Sequence, residues 1–509
     1  MEFLDKIYKR WNTLDPRVRL VVEQLVQKIP LSKAVRNVPF LQKMVDEEFA
    51  KLLQKVDQPN PHLEDIPSFL ELPNEGLAST LVLTSLAKLA LSEQQRWSDG
   101  YASGAVYHGD PDHIQLLNKV YSLFSQTNPL HTDLWPSITK FEAEIVAMTA
   151  KMLGSEWTDD SICGSVSSGG TESILLAMKV YRDWAREERG IENPEMIVPI
   201  TAHAAFDKAS QFLGMRKVMV PVDDEYQASV VAIRKAVNKN TAVIVASAPS
   251  FPHGIIDPIP DLASLASERG INLHVDACIG GFVLPWLRDE YAFPPFDFAL
   301  KGVTSISVDT HKFGYASKGS SVILYRGKNL RHYQYFVTTD WPGGLYASPT
   351  LAGSRSGALI AQCWAAMVAM GQEGYRSAAL KIADTARSIK EGISHIPHLR
   401  VLGQPLFIIA FASDTLDIFS IMGAMTEKGW SLNGLHRPDC VHICITLRHT
   451  QAGVAERFLR DLEDAVFQVE KNPQRQAGMA PIYGMASSIP ARGLVGELLK
   501  RYLDSLYKN

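Results

Sequence analysis

Short runs of β-branched and aliphatic residues alternate with stretches of helical periodicity beyond about residue 140. Strands that are separated by helices indicate a mostly parallel, doubly wound sheet. The predicted strands cover residues 196–199, 218–222, 242–247, 272–275, 305–308 and 322–325. Ligands of such sheets bind beyond the carboxyl ends of the strands, so functional side chains are expected there.

The same patterns predict three parts of the chain. Residues 1–110 form a mostly helical N-terminal segment, residues 111–357 a large domain, and residues 358–509 a small C-terminal α/β domain. The elements expected in the small domain are a helix over 358–396, a strand over 407–411, a helix over 417–428, a strand over 441–446 and a terminal helix over 493–507.

Two stretches near the N-terminus bear on membrane contact. Residues 77–91 are apolar, but they are too few to span a bilayer and Lys88 interrupts them, so they predict a soluble helix. The first ten residues lack the apolar core of a signal peptide. The segment before residue 50 is predicted to pack as a helical arm on the body or on a second subunit, or else to lie on a membrane surface. The second alternative depends on a basic cluster of Lys6, Lys9, Arg10, Arg17 and Arg19.

Composition narrows the function classes. The 509 residues are 46% hydrophobic and 21% charged, which is typical of a globular protein with a large core. The net charge of −4 disfavours a nucleic-acid partner, as does the absence of aromatic residues among basic clusters. The five cysteines are scattered, which predicts a reducing, cytoplasmic location. No second pair completes a zinc site with Cys440 and Cys444, so no metal is expected.

The sequence SSGGTES, residues 167–173, opens a predicted helix. Small residues at a helix start expose backbone N–H groups and the positive end of the helix dipole, which suits a phosphate near Gly169, Gly170 and Thr171. The spacing matches neither a P-loop nor a GxGxxG fingerprint, which disfavours nucleoside triphosphates and dinucleotides. An ordinary glycine-rich helix start is the alternative.

Two further side chains follow predicted strands. Asp276 ends an apolar run and is suited to pair with a protonated ring nitrogen, which would make that ring an electron sink. Otherwise Asp276 caps the next helix. His203 follows the strand over 196–199 and could stack flat on a pyridine ring, although an ordinary histidine is the simpler interpretation.

Lys312 lies in the run SVDTHKFG, residues 307–314, after a short apolar strand and beside Ser307 and His311. A lysine at the mouth of a strand can hold an aldehyde cofactor as a Schiff base if its neighbours lower its pKa. Alternatively it is a solvated surface residue. A phosphate turn, a strand-end acid and a strand-end lysine 36 residues after the acid together match one cofactor, pyridoxal 5′-phosphate.

Longer stretches around these residues resemble the pyridoxal-phosphate enzymes of fold type I, the aspartate-aminotransferase-like fold. Within that fold they are similar to the group II decarboxylase-like branch and, there, to the sphingosine-1-phosphate lyases. The stretches are SGAVY (103–107), NPLHTDLWP (128–136), TESILLAMK (171–179), SFPHGIIDPI (250–259), HVDACIGGF (274–282), DTHKFGYASKGSS (309–321) and LYASPTLAGSRSG (345–357).

The resemblance implies a homodimer with shared active sites and retro-aldol cleavage of phosphorylated sphingoid bases into a long-chain aldehyde and phosphoethanolamine. It implies that Lys312 attaches the cofactor, Asp276 pairs with the ring nitrogen and His203 stacks on the ring. The other residues implied near the cofactor are Gly169, Gly170, Thr171, Ser307, His311 and, from the partner subunit, Gly353 and Ser354. Those implied to bind the substrate are Tyr107, Asn128, His131, Lys318, Ser354 and Arg355. His311 and Tyr346 are implied to act beside Lys312 in catalysis, Tyr346 as the acid or base near the scissile bond.

Two departures from the family pattern qualify the resemblance. Eukaryotic members carry an N-terminal membrane span that this sequence lacks, so it resembles the soluble, bacterial-type form. Phe251 and Phe313 stand where related chains often have tyrosine, and a phenyl ring cannot relay a proton.

Two other functions stay open at this point. One is an amino-acid decarboxylase on the same fold. The cations Lys318, Arg355 and His131 favour a lyase over it, because a substrate with a phosphate head needs cations to bind it. The other is a non-catalytic cofactor-binding or membrane-associated scaffold.

Overall fold

A computed structural model describes residues 69–472 and 492–507. Seven of its strands form the central sheet: β1 (Ile162–Ser167), β2 (Glu195–Pro199), β3 (Arg216–Val220), β4 (Thr241–Ser247), β5 (Asn272–Asp276), β6 (Ser305–Val308) and β7 (Ser321–Arg326). Their order across the sheet is β1-β7-β6-β5-β4-β2-β3. Only β7 runs against the others in this sheet, because it pairs antiparallel with both β1 and β6. The sheet is therefore mostly parallel, as the alternation of strands and helices predicts.

Helices cover the sheet. They are α1 (Ser79–Ser98), α2 (Pro111–Phe124), α3 (Pro136–Met152), α4 (Gly170–Arg189), α5 (Ala205–Leu213), α6 (Val230–Ala236), α7 (Ile259–Arg269), α8 (Lys328–His332), α9 (Gly357–His395), α10 (Ile418–Glu427), α11 (Val454–Lys471) and α12 (Arg492–Leu506). All residues of β2, β4, β5 and β6 are buried. Burial on both faces is what a parallel sheet with helices on either side requires.

A smaller antiparallel sheet follows the long helix α9. Its strands are β10 (Arg400–Val401), β11 (Ile408–Ala412), β12 (Asn433–Leu435) and β13 (Cys440–Cys444), in the order β10-β11-β13-β12. Helix α9 bends at Gly371, whose φ of 56° and ψ of 179° are not helical. A separate hairpin of β8 (Phe336–Thr338) and β9 (Tyr346–Ser348) lies just before α9.

All six strands predicted for the central sheet are present, although β3 begins and ends two residues earlier than expected. Strand β1 was missed because its sequence, ICGSVS, is rich in small residues. Gly164 is required there, since a Cβ on Gly164 would collide with the carbonyl oxygen of Ile323 on β7. Residues 79–91 of the apolar run at 77–91 lie in α1, which buries none of its residues in this chain. The predicted N-terminal arm, before residue 50, lies outside the described residues.

Across residues 69–472 and 492–507, no helix combines the length and the apolar character that crossing a lipid bilayer demands.

Candidate active site

The carboxyl ends of β1, β2, β5 and β6 lie at one edge of the central sheet, because these four strands run in the same direction. Each end leads into a residue singled out from the sequence. The phosphate turn follows β1, His203 follows β2, Asp276 is the last residue of β5, and Lys312 follows β6. This is the edge at which doubly wound sheets bind ligands.

The turn after β1 leads into α4, which begins at Gly170. The first amides of a helix have no acceptor within the helix, so those at Gly170 and Thr171 are free to bind an anion. Gly170 must be glycine, because an added Cβ would lie 2.7 and 2.8 Å from the carboxylate oxygens of Asp309 and 2.9 Å from the Cys278 sulfur. Both neighbours are buried, so the turn is packed tightly against the floor of the site.

Glu172 fixes the shape of the same turn. One carboxylate oxygen accepts a hydrogen bond from the Ser168 amide at 2.6 Å, and the other accepts one from the Leu351 amide at 2.9 Å. The buried carboxylate therefore joins the turn to the segment that precedes Gly353 and Ser354.

Asp276 is buried at the end of β5, with 7% of its surface exposed. Its Oδ1 accepts hydrogen bonds from the Cys278 amide at 3.1 Å and from the Ser307 hydroxyl at 3.4 Å. Its Oδ2 has no hydrogen-bond partner among the described residues. The Ser307 hydroxyl also lies 3.2 Å from His274 Nε2. Burial lowers the pKa of His274 to about 4, so this neighbour is neutral at physiological pH and Asp276 is left available to an incoming cation.

His203 leaves its ring accessible beside the sheet edge. Its Nδ1 accepts a hydrogen bond from the Ala205 amide at 3.1 Å, which fixes the ring orientation, while the side chain is exposed. The Phe251 ring lies edge-on at 6.2 Å, and Phe251 in turn packs edge-on against His442 of β13 at 4.8 Å. The second sheet thus contacts Phe251, the residue that packs beside His203.

Lys312 is paired with an acid that the sequence reasoning did not consider. Its Nζ lies 2.8 Å from Oδ2 of Asp309, whose side chain is 2% exposed. Burial by itself would lower the pKa of Lys312, but the Asp309 carboxylate raises it well above its usual range. The neighbours of Lys312 thus act against the lowered pKa that an amine nucleophile needs, because the nearest charge is negative.

Two buried polar atoms beside Lys312 have no partner among the described residues, namely Asp309 Oδ1 and His311 Nδ1. His311 Nε2 lies 3.7 Å from Asp309 Oδ2. Burial lowers the pKa of His311 even though Asp309 opposes this, so the imidazole is neutral near pH 7. Buried polar atoms are usually hydrogen-bonded, and unsatisfied ones at a strand end indicate a site that a polar ligand completes.

The backbone just after Lys312 is strained. Tyr315 has a φ of 61°, which a bulky residue rarely adopts, and its side chain is buried. Three contacts hold this turn. The Tyr375 hydroxyl donates to the Gly314 carbonyl at 2.8 Å, His113 Nε2 donates to the Tyr315 carbonyl at 2.7 Å, and the Tyr315 and Tyr375 rings stack at 5.8 Å. Strain of this kind costs about 1–3 kcal/mol and is typically kept at functional sites.

Lys318 stands at the mouth of the site. Its Nζ lies 4.5 Å from the centre of the Tyr107 ring and 3.3 Å from the His311 carbonyl oxygen. Loss of solvation and then the charge of Lys312 lower the pKa of Lys318, to about 8. Tyr107 is buried and packs edge-on against Phe313 at 4.8 Å.

A second group of predicted residues lies together beside the end of β1, where the Arg355 guanidinium donates to the Val166 carbonyl at 3.0 Å. The Asn128 amide donates to the Ser354 hydroxyl at 3.1 Å, and Asn128 Oδ1 accepts from the Arg355 amide at 3.3 Å. The Arg355 guanidinium binds both oxygens of Glu142, at 3.1 and 3.0 Å. A Cβ on Gly353 would lie 2.5 Å from the hydroxyl of Tyr346.

Within the part of the chain that the structure describes, no hydrogen bond or ion pair joins these residues to Lys312, Asp309 or Lys318. His131, the remaining member predicted to bind substrate, is exposed and packs edge-on against Trp135 at 6.2 Å.

The residues at the sheet edge fit pyridoxal phosphate. Free amides suit its phosphate, an unpaired carboxylate oxygen suits its ring nitrogen, an accessible imidazole suits its ring face, and a lysine suits its aldehyde. Residues 72–405 match the family described as "Pyridoxal-dependent decarboxylase conserved domain". The chain is 46% identical over 485 residues to a sphingosine-1-phosphate lyase of Arabidopsis thaliana, covering 93% of this chain and 87% of that protein.

The chain belongs to the sphingosine-1-phosphate lyase family.

Solved structures agree with this assignment. A sphingosine-1-phosphate lyase of Burkholderia pseudomallei superposes with a TM-score of 0.79 and 46% identity, covering 82% of this chain and 96% of that one. A glutamate decarboxylase of Lactobacillus brevis superposes with a TM-score of 0.68 and 19% identity, covering 80% and 96%, and so shares the fold. The fold is thus that of the pyridoxal-phosphate enzymes of fold type I.

Three residues of this lyase-family site were missed from the sequence. Asp309 and Cys278 line its floor, and Glu172 shapes the phosphate turn. Asp309 had a usable signal, since an acid three residues before a lysine in a tight turn falls within reach of it. Glu172 had none, because a glutamate in the first turn of a helix is ordinary.

Proposed function

We propose that this chain is a pyridoxal-phosphate-dependent lyase that cleaves phosphorylated sphingoid bases such as sphingosine 1-phosphate. Cleavage between the amine-bearing carbon and the carbinol carbon gives a long-chain aldehyde and phosphoethanolamine. The observation that carries the proposal is the meeting of Lys312, Asp276 and the open start of α4 at one sheet edge, with Lys318 at its mouth. Family membership, with 46% identity to a named lyase, supports the choice of substrate.

Each part of the cofactor has a proposed partner. Lys312 would bond the aldehyde, the amides at Gly170 and Thr171 would hold the phosphate, and His203 would cover one ring face. The cofactor supplies an electron-poor ring that stabilises negative charge on the carbon next to the substrate amine. Asp276 maintains that property, because a buried carboxylate favours the protonated form of a ring nitrogen beside it.

Lys318 and Tyr107 are proposed to receive the phosphate head of the substrate. The Lys318 side chain is exposed, and its contacts with the Tyr107 ring and the His311 carbonyl are not ion pairs, so it can turn toward an anion without breaking a salt bridge. The decarboxylase alternative requires no cation at this place.

A homodimer is proposed, in which Asn128, His131, Ser354 and Arg355 serve the site of the partner copy together with Gly353 and Tyr346. Among the described residues of one chain, no hydrogen bond or ion pair joins this group to Lys312, which supports that arrangement. Helix α1 supports it as well, since Leu81, Leu83 and Leu91 are 54%, 65% and 69% exposed and can be covered by a second copy. We place the protein in the cytoplasm because its five cysteines are all free.

The experiment supplies purified protein with pyridoxal phosphate and either sphingosine 1-phosphate or a panel of amino acids. Mass spectrometry should detect hexadecenal and phosphoethanolamine from the lipid and no carbon dioxide from the amino acids. Lys312→Ala should abolish turnover. Release of carbon dioxide from an amino acid, with the lipid left intact, would establish the decarboxylase instead.

Recognition of the phosphate head is tested by Lys318→Met. The variant should raise KM for the phosphorylated substrate at least tenfold and change kcat little, because a charge-assisted hydrogen bond is worth about 1.5–3 kcal/mol. Lys239→Met, at an exposed lysine away from the site, is the matched control. An unchanged KM in Lys318→Met refutes the assigned role.

A further inference from the structure

We propose that Asp309 is a positioning residue for Lys312, whose side-chain nitrogen it keeps protonated and directed along the floor of the site. The inference rests on the proposed function, since it concerns the lysine that bonds the cofactor. It begins from the 2.8 Å contact between Lys312 Nζ and Asp309 Oδ2, at a carboxylate with 2% of its side chain exposed.

Asp309 is not held as a structural aspartate would be. No main-chain amide among the described residues donates to either of its carboxylate oxygens, and its Oδ1 is buried without a partner. Asp257, by contrast, is a fully buried acid that accepts from the amides of Ala228 and Ser247 at 2.8 and 2.7 Å. The charge on Lys312, 2.8 Å away, is therefore the strongest attraction on the Asp309 carboxylate, ahead of His311 and the Ser321 hydroxyl.

Other groups around Lys312 cannot replace Asp309. The titratable side chains that face Lys312 or Asp309 are Tyr107, Cys278, His311, Lys318 and Cys444. Burial keeps the tyrosine, both cysteines and the histidine neutral near pH 7, and Lys318 repels a second positive charge. Asp276 faces Cys278 and Ser307 instead.

A retained proton has a chemical use. A carbon–nitrogen double bond is attacked by an incoming amine much more readily when its nitrogen is protonated, because the positive charge draws electrons from the carbon. With pyridoxal phosphate bound, a proton held on the Lys312 nitrogen would therefore ease replacement of Lys312 by the substrate amine. The tight packing of Asp309 under Gly170 keeps the carboxylate from turning away.

The test titrates the visible absorbance band of the cofactor-loaded protein with pH. Loss of the yellow band reports loss of the proton from the Lys312 nitrogen. In Asp309→Asn the midpoint should fall by at least one pH unit, and Asp309→Glu should restore part of the shift. Cys444→Ala, which removes a neutral neighbour, should keep the wild-type midpoint. Superposable curves for wild type and Asp309→Asn overturn the proposal.

A second measurement tests the same proposal if the Asp309→Asn variant does not bind pyridoxal phosphate. Protein stripped of cofactor is labelled with acetic anhydride at pH 8, and mass spectrometry quantifies the modification of Lys312. Asp309→Asn should label at least ten times faster, because a free amine reacts and an ammonium does not. Equal rates overturn the inference.

The two proposals fail in different ways. If wild-type protein gives no visible band with pyridoxal phosphate and borohydride fixes no adduct on Lys312, the proposed function is wrong, while the labelling rates still decide the role of Asp309.

Discussion

Gly170→Ala perturbs the floor of the site by a single methyl group. The added carbon would lie 2.7 Å from Asp309 Oδ1 and 2.9 Å from the Cys278 sulfur, closer than such atoms approach in proteins. Asp309 is tied to Lys312, and Cys278 is buried beneath it, so neither can retreat. The start of α4 must instead move outward, into the space where the cofactor phosphate would bind.

The magnitude follows from this overlap. Restoring an ordinary contact of about 3.4 Å requires a shift of roughly 0.7 Å, and overpacking of a filled site costs about 1–3 kcal/mol. At about 1.4 kcal/mol per factor of ten, cofactor binding should weaken by about 5- to 150-fold.

The assay is a titration of stripped protein with pyridoxal phosphate, followed by the visible absorbance. Gly76→Ala is the control, because no atom lies within 4 Å of a Cβ at that position and its φ is not strained. A dissociation constant for Gly170→Ala within twofold of wild type, with unchanged thermal stability, would refute the idea that the turn is packed against Asp309.

Three further predictions concern charge, packing and acid stability. KM for the phosphorylated substrate should rise above about pH 8, where Lys318 loses its proton, and Lys318→Arg should remove that rise in steady-state assays, because arginine stays charged. Gly254→Ala should lower the free energy of unfolding by about 2–4 kcal/mol, because its Cβ would strike the Ile408 carbonyl and its φ is positive. Gly270→Ala, which has a positive φ but open space, should cost less in the same denaturant titration. His253 is buried with its pKa lowered to about 4, so the unfolded chain binds its proton more readily and stability should fall as pH drops from 6.5 toward 4. His253→Phe should flatten that fall, and an unchanged slope in urea titrations would contradict this.

The sequence was a good guide to strands with a strong local signal. The run that became β4 is mostly apolar and β-branched, and it is buried on both faces as such a run predicts. Strands β5 and β6 are shorter and alternate polar with apolar residues, yet they are buried as well. Strand β1 lacked that signal because its glycine is dictated by contact with β7, more than 150 residues later. The reversed direction of β7 was not foreseen, since direction depends on how the chain returns to the sheet.

The residues of the candidate site also differ in whether the sequence could locate them. Asp276 and the turn at Gly170 could be located from the sequence, because a strand end and a helix start are local features. The pairing of Arg355 with Glu142 could not, since the two residues are 213 positions apart. Because Glu142 holds the guanidinium within the chain, the proposed role of Arg355 at the partner's site requires that it bind substrate while paired with Glu142 or after leaving it.

Glu172 couples the conformation of the phosphate turn to that of the segment around Leu351. Its two oxygens hold the Ser168 amide of the phosphate turn and the Leu351 amide ahead of Gly353. Any ligand that stabilises the turn therefore also stabilises the position of Leu351, and by reciprocity an ordered Leu351 segment strengthens binding at the turn. If that segment serves a second copy of the chain, as proposed, filling one site prepares its neighbour. Glu172 then couples ligand binding at the two active sites of the proposed homodimer.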